Sequence, residues 1–283
     1  MSKQYEFTLD EDDKKYLAEH LHESDQSRNE ALKEIRNWLI EEKPDLHARL
    51  DDKYILPFLR GSKFNLEKTK TKLTNYYVMR RDRSEWFRNR DPTLPELQEL
   101  VKLGVFVPLK LSSENRLVVI IRTAAHNPKK HKMEDVFKVG KMVLDVAAMT
   151  VERTQIYGIV AIFDMDGVGL AHALQLTPSM IKNAVHAWQN YHCKPKQLEF
   201  INAPVHVNVM MNVFKSFMSE KLRKRVKVHF KGTDGLYHNV DRSILPPEYG
   251  GDGDDMESLI GYWNRTLLSY REWFADDEQY KAE

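Results

Sequence analysis

The apolar positions of this chain change their period once. From about residue 8 to 104 they recur at helical spacing, in "DEDDKKYLAEHL", "SRNEALKEIRNWLIEEKP", "DDKYILPFLRGSKF", "NLEKTKTKLTNYYVMRRDRSEWF" and "PTLPELQELVKLG". In the second segment Ile35, Leu39 and Ile40 are expected on one face, with Pro44 ending the helix; in the fourth, Asn65 is placed to cap a helix through Leu73, Tyr76 and Tyr77. From about residue 105 short β-rich runs alternate with helical stretches. The expected strands are "LVVIIRT" (117–123), "GIVAIFDM" (158–165), "LEFIN" (198–202) and "VKVHF" (226–230). Regular strand–helix alternation implies crossover connections, hence an α/β unit with a mainly parallel sheet flanked by helices. The expected division is a helical N-terminal domain over 1–104, an α/β domain over 105–265 and a C-terminal helix or tail over 266–283, whose polar end "WFADDEQYKAE" is expected to fray.

One helix breaks the amphipathic rule. In "INAPVHVNVMMNVFKSFMSEKLRKRVKVHF" (201–230), Val207, Met210, Met211, Phe214, Phe217 and Met218 form one broad apolar face at 100° per residue. Val205, Val209 and Val213 form a second stripe, and only Asn208, Asn212 and Lys215 make a polar strip. Such a helix is either packed on two sides within a core, or a lid that is apolar inward over a ligand and outward toward a membrane.

Composition narrows the function. The chain of 283 residues is 42% hydrophobic, enough for a core, and its 43 Lys and Arg balance 42 Asp and Glu. A net charge of +1 predicts no general attraction to nucleic acid, so any electrostatic function must be local. The first residues lack the apolar core of a secretion signal, and "LVVII" and "IVAIF" are too short to span a bilayer, which predicts a cytoplasmic protein. The lone cysteine, Cys193, excludes an intrachain disulfide and a multi-cysteine metal site, and reads as an inert thiol.

Candidate catalytic chemistry is sparse. "IVAIFDMDGVG" places Asp164 and Asp166 after an apolar strand, as haloacid-dehalogenase-type phosphatases place a nucleophile and an acid/base, and "GGDGDD" (250–255) resembles their magnesium loop. That loop, however, follows "ILPPEY", whose adjacent prolines cannot form a central strand. The other reading makes Asp164 a strand end hydrogen-bonded to a loop and Asp166-Gly167 a turn. The eleven histidines show no HExxH spacing, and neither a Gly-x-Ser-x-Gly elbow nor a glycine-rich phosphate loop occurs. His126 and His131, flanking Lys129, Lys130 and Lys132, read as a solvated turn. No cofactor or metal is expected.

Four segments in order, "FLRGSKFNLEKT", "GIVAIFDMDGVGLAHALQLTPSM", "LEFINAPVHVNVMMNVFKSFMSEKLRKRV" and "ILPPEYGG", resemble the CRAL-TRIO lipid-binding family, most closely its α-tocopherol transfer protein-like branch, from about residue 25 to 265. The resemblance implies a helical N-terminal domain, a parallel-stranded domain holding one hydrophobic ligand under a gate helix, and no catalysis. It implies a gate starting at Pro204, with Val207, Met211, Phe214 and Met218 inward and Val209 and Val213 facing a membrane. Phe137, Gly140, Leu144, Ile159, Phe163 and Leu198 are implied to line the cavity. Lys194, Lys196 and Lys221 match the branch's phosphoinositide headgroup residues, whereas a further headgroup arginine falls at Ser62. The run from 215 to 231 holds seven basic residues, Lys215, Lys221, Arg223, Lys224, Arg225, Lys227 and Lys231, against Glu220 alone, which suits an anionic membrane surface. A second branch holds phosphatidylinositol with a Glu and a Thr, for which this chain has Cys193 and Leu222, disfavouring that cavity ligand. The expectation is a monomeric cytoplasmic carrier, transiently membrane-associated, for a tocopherol, retinoid, carotenoid or other isoprenoid lipid. The alternatives are the phosphatase and a lipid-responsive regulatory scaffold.

Overall fold

The computed structural model describes residues 9–204, 207–230 and 232–283. Val205 and Lys231, assigned above to an apolar stripe and the basic run, lie outside them.

The N-terminal part is helical: α1 (Glu11–Tyr16), α2 (Asp25–Glu41), α3 (Asp52–Gly61), α4 (Leu66–Asp82), α5 (Ser84–Phe87) and α6 (Pro95–Lys102). Local chemistry explains the starts. The Ser24 hydroxyl accepts from the Ser27 amide at 3.1 Å at the head of α2, and Asn65 Oδ1 accepts from the Lys68 amide at 2.9 Å at the head of α4. Ile35 and Leu39 are buried as expected, but Ile40 is 51% exposed. It lies one 100° step beyond Leu39, far enough round the helix to leave the core.

The second part is β1 (Phe106–Leu111), β2 (Leu117–Arg122), α7 (Met133–Thr150), α8 (Arg153–Tyr157), β3 (Ile159–Asp164), α9 (Leu170–Gln175), α10 (Pro178–Asn190), β4 (Pro195–Ile201), α11 (Val207–Phe217), α12 (Glu220–Arg223), β5 (Val226–Val228), α13 (Met256–Ser269) and α14 (Arg271–Asp277). The strands lie in sequence order in one five-stranded sheet; β1 runs antiparallel to β2, and the remaining pairs are parallel. Ile159, Val160, Ala161 and Ile162 of β3 are all buried, as a strand covered on both faces requires. β1 was not among the expected strands because Pro108 interrupts it. An edge strand tolerates that proline, and the Pro108 carbonyl accepts from Trp263 Nε1 of α13 at 2.8 Å.

The chain end does not fray. Phe274, Asp277 and Ala282 are buried, the Ala282 amide donates to the Tyr77 carbonyl at 3.2 Å and the Glu283 amide to the Asp45 carbonyl at 3.0 Å. The anchor is ionic. Asp277 accepts from Arg49 at 2.8 Å, Arg80 at 2.7 Å and Arg90 at 2.5 Å, and Arg90 also donates to Asp145 of α7 at 2.8 Å. Segments that look polar in sequence are therefore tied into one core with the helical domain and the cavity wall.

This network generates a stability prediction. Burial alone would raise the Asp277 pKa, but Arg80, Arg90 and Arg49 outweigh it and hold the carboxyl below its usual range. A depressed carboxylate contributes stability that is fully present above its unfolded pKa and lost as pH falls through the folded value. Asp277→Asn should cost about 3–5 kcal/mol in urea denaturation at pH 7, because it strands buried guanidinium charge, and the deficit should shrink in acid. A loss below about 1 kcal/mol, the range of a surface pair, would show that the network does not carry the anchor.

Candidate functional site: an apolar cavity beside a basic cluster

The cavity lies near the carboxyl ends of β3 and β4, between the sheet, α7, α9, α10 and α11, and has a volume of about 150 Å³. On α7 the positions i, i+3, i+4 and i+7, namely Phe137, Gly140, Lys141 and Leu144, form one wall. Phe137 stacks on Trp86 with ring centroids 4.8 Å apart. A Cβ on Gly140 would come within 2.5 Å of the Phe106 ring, so glycine here lets that ring seat against α7. From the sheet, Phe163 and Phe200 stack at 4.5 Å, with Leu198 beside them. Trp188 of α10 meets Phe163 edge-on at 6.1 Å.

Seven of the ten residues named from sequence line this space: Phe137, Gly140, Leu144, Phe163, Leu198, Phe214 and Met218. Three do not. Ile159 shares a strand face with Phe163 but lies four residues, about 13 Å, back along β3, where packing is closed and the residue is fully buried. Val207 and Met211 are buried at 1% and 2% exposure but are absent from the lining. Helix α11 divides its inward arc, setting Met210 and Phe214 over the cavity while Val207 and Met211 pack in the core; Met218, just past its end, also lines the cavity.

Outside, Val209 is 74% exposed and Val213 half-buried. They are joined by two residues that sequence reasoning missed. Leu170 and Leu174 of α9 are 75% and 73% exposed, on the same short helix whose His172 and Ala173 line the cavity. Two leucines four apart, on one face of a helix, were the available signal. Among the described residues no helix is long and apolar enough to cross a membrane.

The loop with His126 and His131 is not simply a solvated turn. Lys129 and Lys130 are exposed, but both histidines are buried. His126 Nε2 meets Gln175 Oε1 at 2.9 Å, and Gln175 Nε2 donates to the His131 carbonyl at 2.8 Å; of the three, His126 lines the cavity.

Asp164 is committed to structure. Its Oδ1 accepts from the Asp166 amide at 3.1 Å and from Asn202 Nδ2 at 2.9 Å, and its Oδ2 accepts from the Tyr249 hydroxyl at 2.8 Å. It thus ties the ends of β3 and β4 to the "ILPPEYGG" loop, while Asp166 is exposed in the turn. In the acidic loop Asp255 caps α13 by accepting from the Ser258 amide at 2.8 Å, and Asp254 pairs with Lys110 at 3.0 Å. Cys193 is buried, which pushes its thiol up to about 12.

Lys194, Lys196 and Lys221 are brought together. Burial first, then the neighbouring charges of Lys72, Lys196, Lys221 and Lys63, lower Lys194 to about 7. Burial and the cations Arg116, Arg225, Lys63 and Lys221 lower Lys196 to about 8. Lys63 and Lys72 come from the helical domain some 130 residues earlier, so linear clustering could not reveal them. Lys63 stands next to Ser62, which is itself buried. Other members of the basic run turn elsewhere: Lys224 pairs with Glu220 at 2.7 Å, and Lys227 donates to Asn239 at 2.5 Å.

Comparison with known proteins agrees with this architecture. Residues 102–251 match the CRAL/TRIO domain and residues 24–97 the Pinta-like UBA domain. Alpha-tocopherol transfer protein-like from Homo sapiens is 28% identical over 275 residues, covering 96% of this chain and 79% of that protein. Clavesin-2 from Rattus norvegicus is 27% identical over 267 residues, covering 93% and 80%. A solved structure, that of Sfh5, superposes with a TM-score of 0.49 at 14% identity, covering 89% of this chain and 99% of that one. With a five-stranded, mainly parallel sheet, an apolar cavity under a helix and a domain match over more than half its length, this chain belongs to the CRAL/TRIO family of lipid-binding proteins.

Proposed function

We propose that the protein is a non-enzymatic carrier that shields one hydrophobic small molecule of the isoprenoid class and exchanges it at phosphoinositide-bearing membranes. The observation that carries the reading is the juxtaposition of three surfaces: an apolar cavity, a helix α11 that is apolar on both sides, and a cluster of cations next to it. The cavity volume of about 150 Å³ is below the roughly 300–1,000 Å³ of a drug-sized ligand pocket, so loading requires the walls to yield. Methionines at 133, 165, 210 and 218 suit a wall that must re-pack around a flexible chain. Outward movement of α11 would open the cavity on the side where Val209, Leu170 and Leu174 are exposed, allowing those residues to enter the headgroup region as the ligand passes. Lys194 and Lys196 support attachment to an anionic headgroup, since a multivalent phosphate would offset the burial and the crowding of like charges that lower their pKa values.

The cavity assignment is tested by Phe163→Asp. An unpaired carboxylate in this wall should abolish binding of tocopherol and retinol in a fluorescence titration, with circular dichroism confirming the fold. A folded variant of undiminished affinity would place the ligand elsewhere.

Exchange is tested separately. The triple variant Lys194→Ala, Lys196→Ala, Lys221→Ala should keep its affinity for ligand but attach to phosphoinositide vesicles about a hundredfold more weakly, at about 1 kcal/mol per cation. Neutral vesicles should not distinguish the proteins. Wild-type attachment should also weaken as pH rises from 6 to 9, because Lys194 and Lys196 lose their protons through about 7 and 8. Transfer by the triple variant at the wild-type rate would reduce the cluster to surface charge.

The carrier reading contains no chemical step, and Asp164 already accepts three hydrogen bonds, from Asp166, Asn202 and Tyr249. Phosphomonoester hydrolysis with magnesium should stay at background. Turnover that Asp164→Asn alone removes would restore the phosphatase.

A further inference from the structure

The polar lining of the cavity is one-sided. Among its described residues are the cations Arg122 and Lys141 and the histidines His126 and His172, but no aspartate or glutamate. Three of these four have partners. Arg122 donates to the Leu103 carbonyl at 3.1 Å, His126 meets Gln175, and His172 Nε2 lies 3.2 Å from the His126 carbonyl.

Lys141 differs from them. It is 6% exposed, and its Nζ lies 4.4 Å from the centroid of the Tyr191 ring. No hydrogen bond or ion pair joins that nitrogen to any described residue. Asp145, one turn further along α7, is already engaged by Arg90, the Tyr191 hydroxyl and His192. Burial lowers Lys141 to about 8, against the opposing charge of Asp145, so the amine is mostly protonated at neutral pH. An ammonium largely removed from water and set over a ring face lacks protein acceptors for its three N–H groups among the described residues. Sequence reasoning passed over Lys141 because, at i+4 from Phe137, it reads as a polar interruption of an apolar face.

We infer that Lys141 recognises the head of an acidic amphiphile, so that the cavity takes a long-chain or isoprenoid carboxylate with its chain against Phe163, Phe200 and Phe214 and its carboxylate on Lys141 Nζ. This rests on the carrier reading and narrows it, since a neutral tocopherol or hydrocarbon carotenoid offers the ammonium no counter-charge. The absence of acidic lining residues gives the preference its sign: an anion meets only cations, dipoles and apolar surface. A matched alcohol supplies one neutral oxygen and leaves the charge uncompensated, which is why the discrimination should be large.

The test compares ligands of one chain length. Equilibrium binding of palmitate and hexadecanol should favour palmitate by at least about tenfold in the wild-type protein, as expected for a charge-assisted hydrogen bond. Lys141→Met, of similar length and no charge, should erase the preference by weakening palmitate while leaving hexadecanol unchanged or tighter; Lys141→Arg should retain it. Equal affinities in the wild type, or a preference that survives in Lys141→Met, overturn the inference. The wild-type comparison needs no variant, so a misfolded mutant does not protect the claim. If the folded wild type binds hexadecanol and retinol without favouring palmitate, only the acid preference fails. If it binds none of the three, the carrier reading fails with it.

Discussion

Arg90 holds the two parts of this molecule together. Fully buried, it spans two carboxylates, Asp145 in the middle of α7 and Asp277 near the chain terminus, and Asp277 in turn collects Arg49 and Arg80 from the helical domain. A buried charge must be matched or it is strongly destabilising, so each member of the network constrains where the others can lie. The constraint reaches the cavity. Asp145 is on the helix whose Phe137, Gly140, Lys141 and Leu144 form the cavity wall, and α7 is therefore pinned from behind while its front face lines an incompletely filled space. A wall beside a void loses dispersion contacts on one side, and rigid attachment elsewhere is what keeps it from collapsing inward.

The opposite wall is apolar on both its inner and outer sides. Helix α11 packs Val207 and Met211 into the core and Met210 and Phe214 over the cavity, with Val209 in solvent. Moving it would expose apolar surface that costs about 25 cal/mol per Å², unless an apolar medium receives that surface. A bilayer interface is such a medium, and Leu170 and Leu174 of α9 extend the exposed apolar area that would meet it. In the proposed carrier the same surface that is unfavourable in water drives opening at a membrane. Coupling between binding and release then follows from solvent transfer alone.

The basic cluster gathers charges from segments far apart in the chain. Lys63 and Lys72 belong to the helical part, Lys194 and Lys196 to the start of β4, and Lys221 and Arg225 to the segment after α11, yet charges from all three segments act on the protonation of Lys72, Lys194 or Lys196. Like charges are assembled here against their mutual repulsion, in an arrangement that a polyanion would stabilise. At the cavity wall the arrangement is different: Lys141 lies over the Tyr191 ring, with its nearest carboxylate already engaged. In the proposed carrier the two sites would suit different anions, a multivalent group outside and a single charge inside.

Much of this could be read from the chain itself. Hydrophobic period separated helical from α/β regions because one-dimensional spacing encodes which face an element buries, and the caps Ser24 and Asn65 are local by nature. Ordered motifs pointed to the family, and therefore to Phe137, Phe163, Leu198 and Phe214 around one cavity. Strand β1 stayed hidden because Pro108 is tolerated only at a sheet edge, and edge position is a property of the sheet rather than the strand. The C-terminal segment looked polar because its charges find partners, Arg49, Arg80 and Arg90, far away in sequence. Ile159, Val207 and Met211 lie in the core rather than on the cavity because periodicity gives a buried face but not what that face meets. The membership of Lys63 and Lys72 in the cluster and the burial of Lys141 were decided by tertiary packing alone, since charge interactions depend on through-space distance and on how much water packing removes.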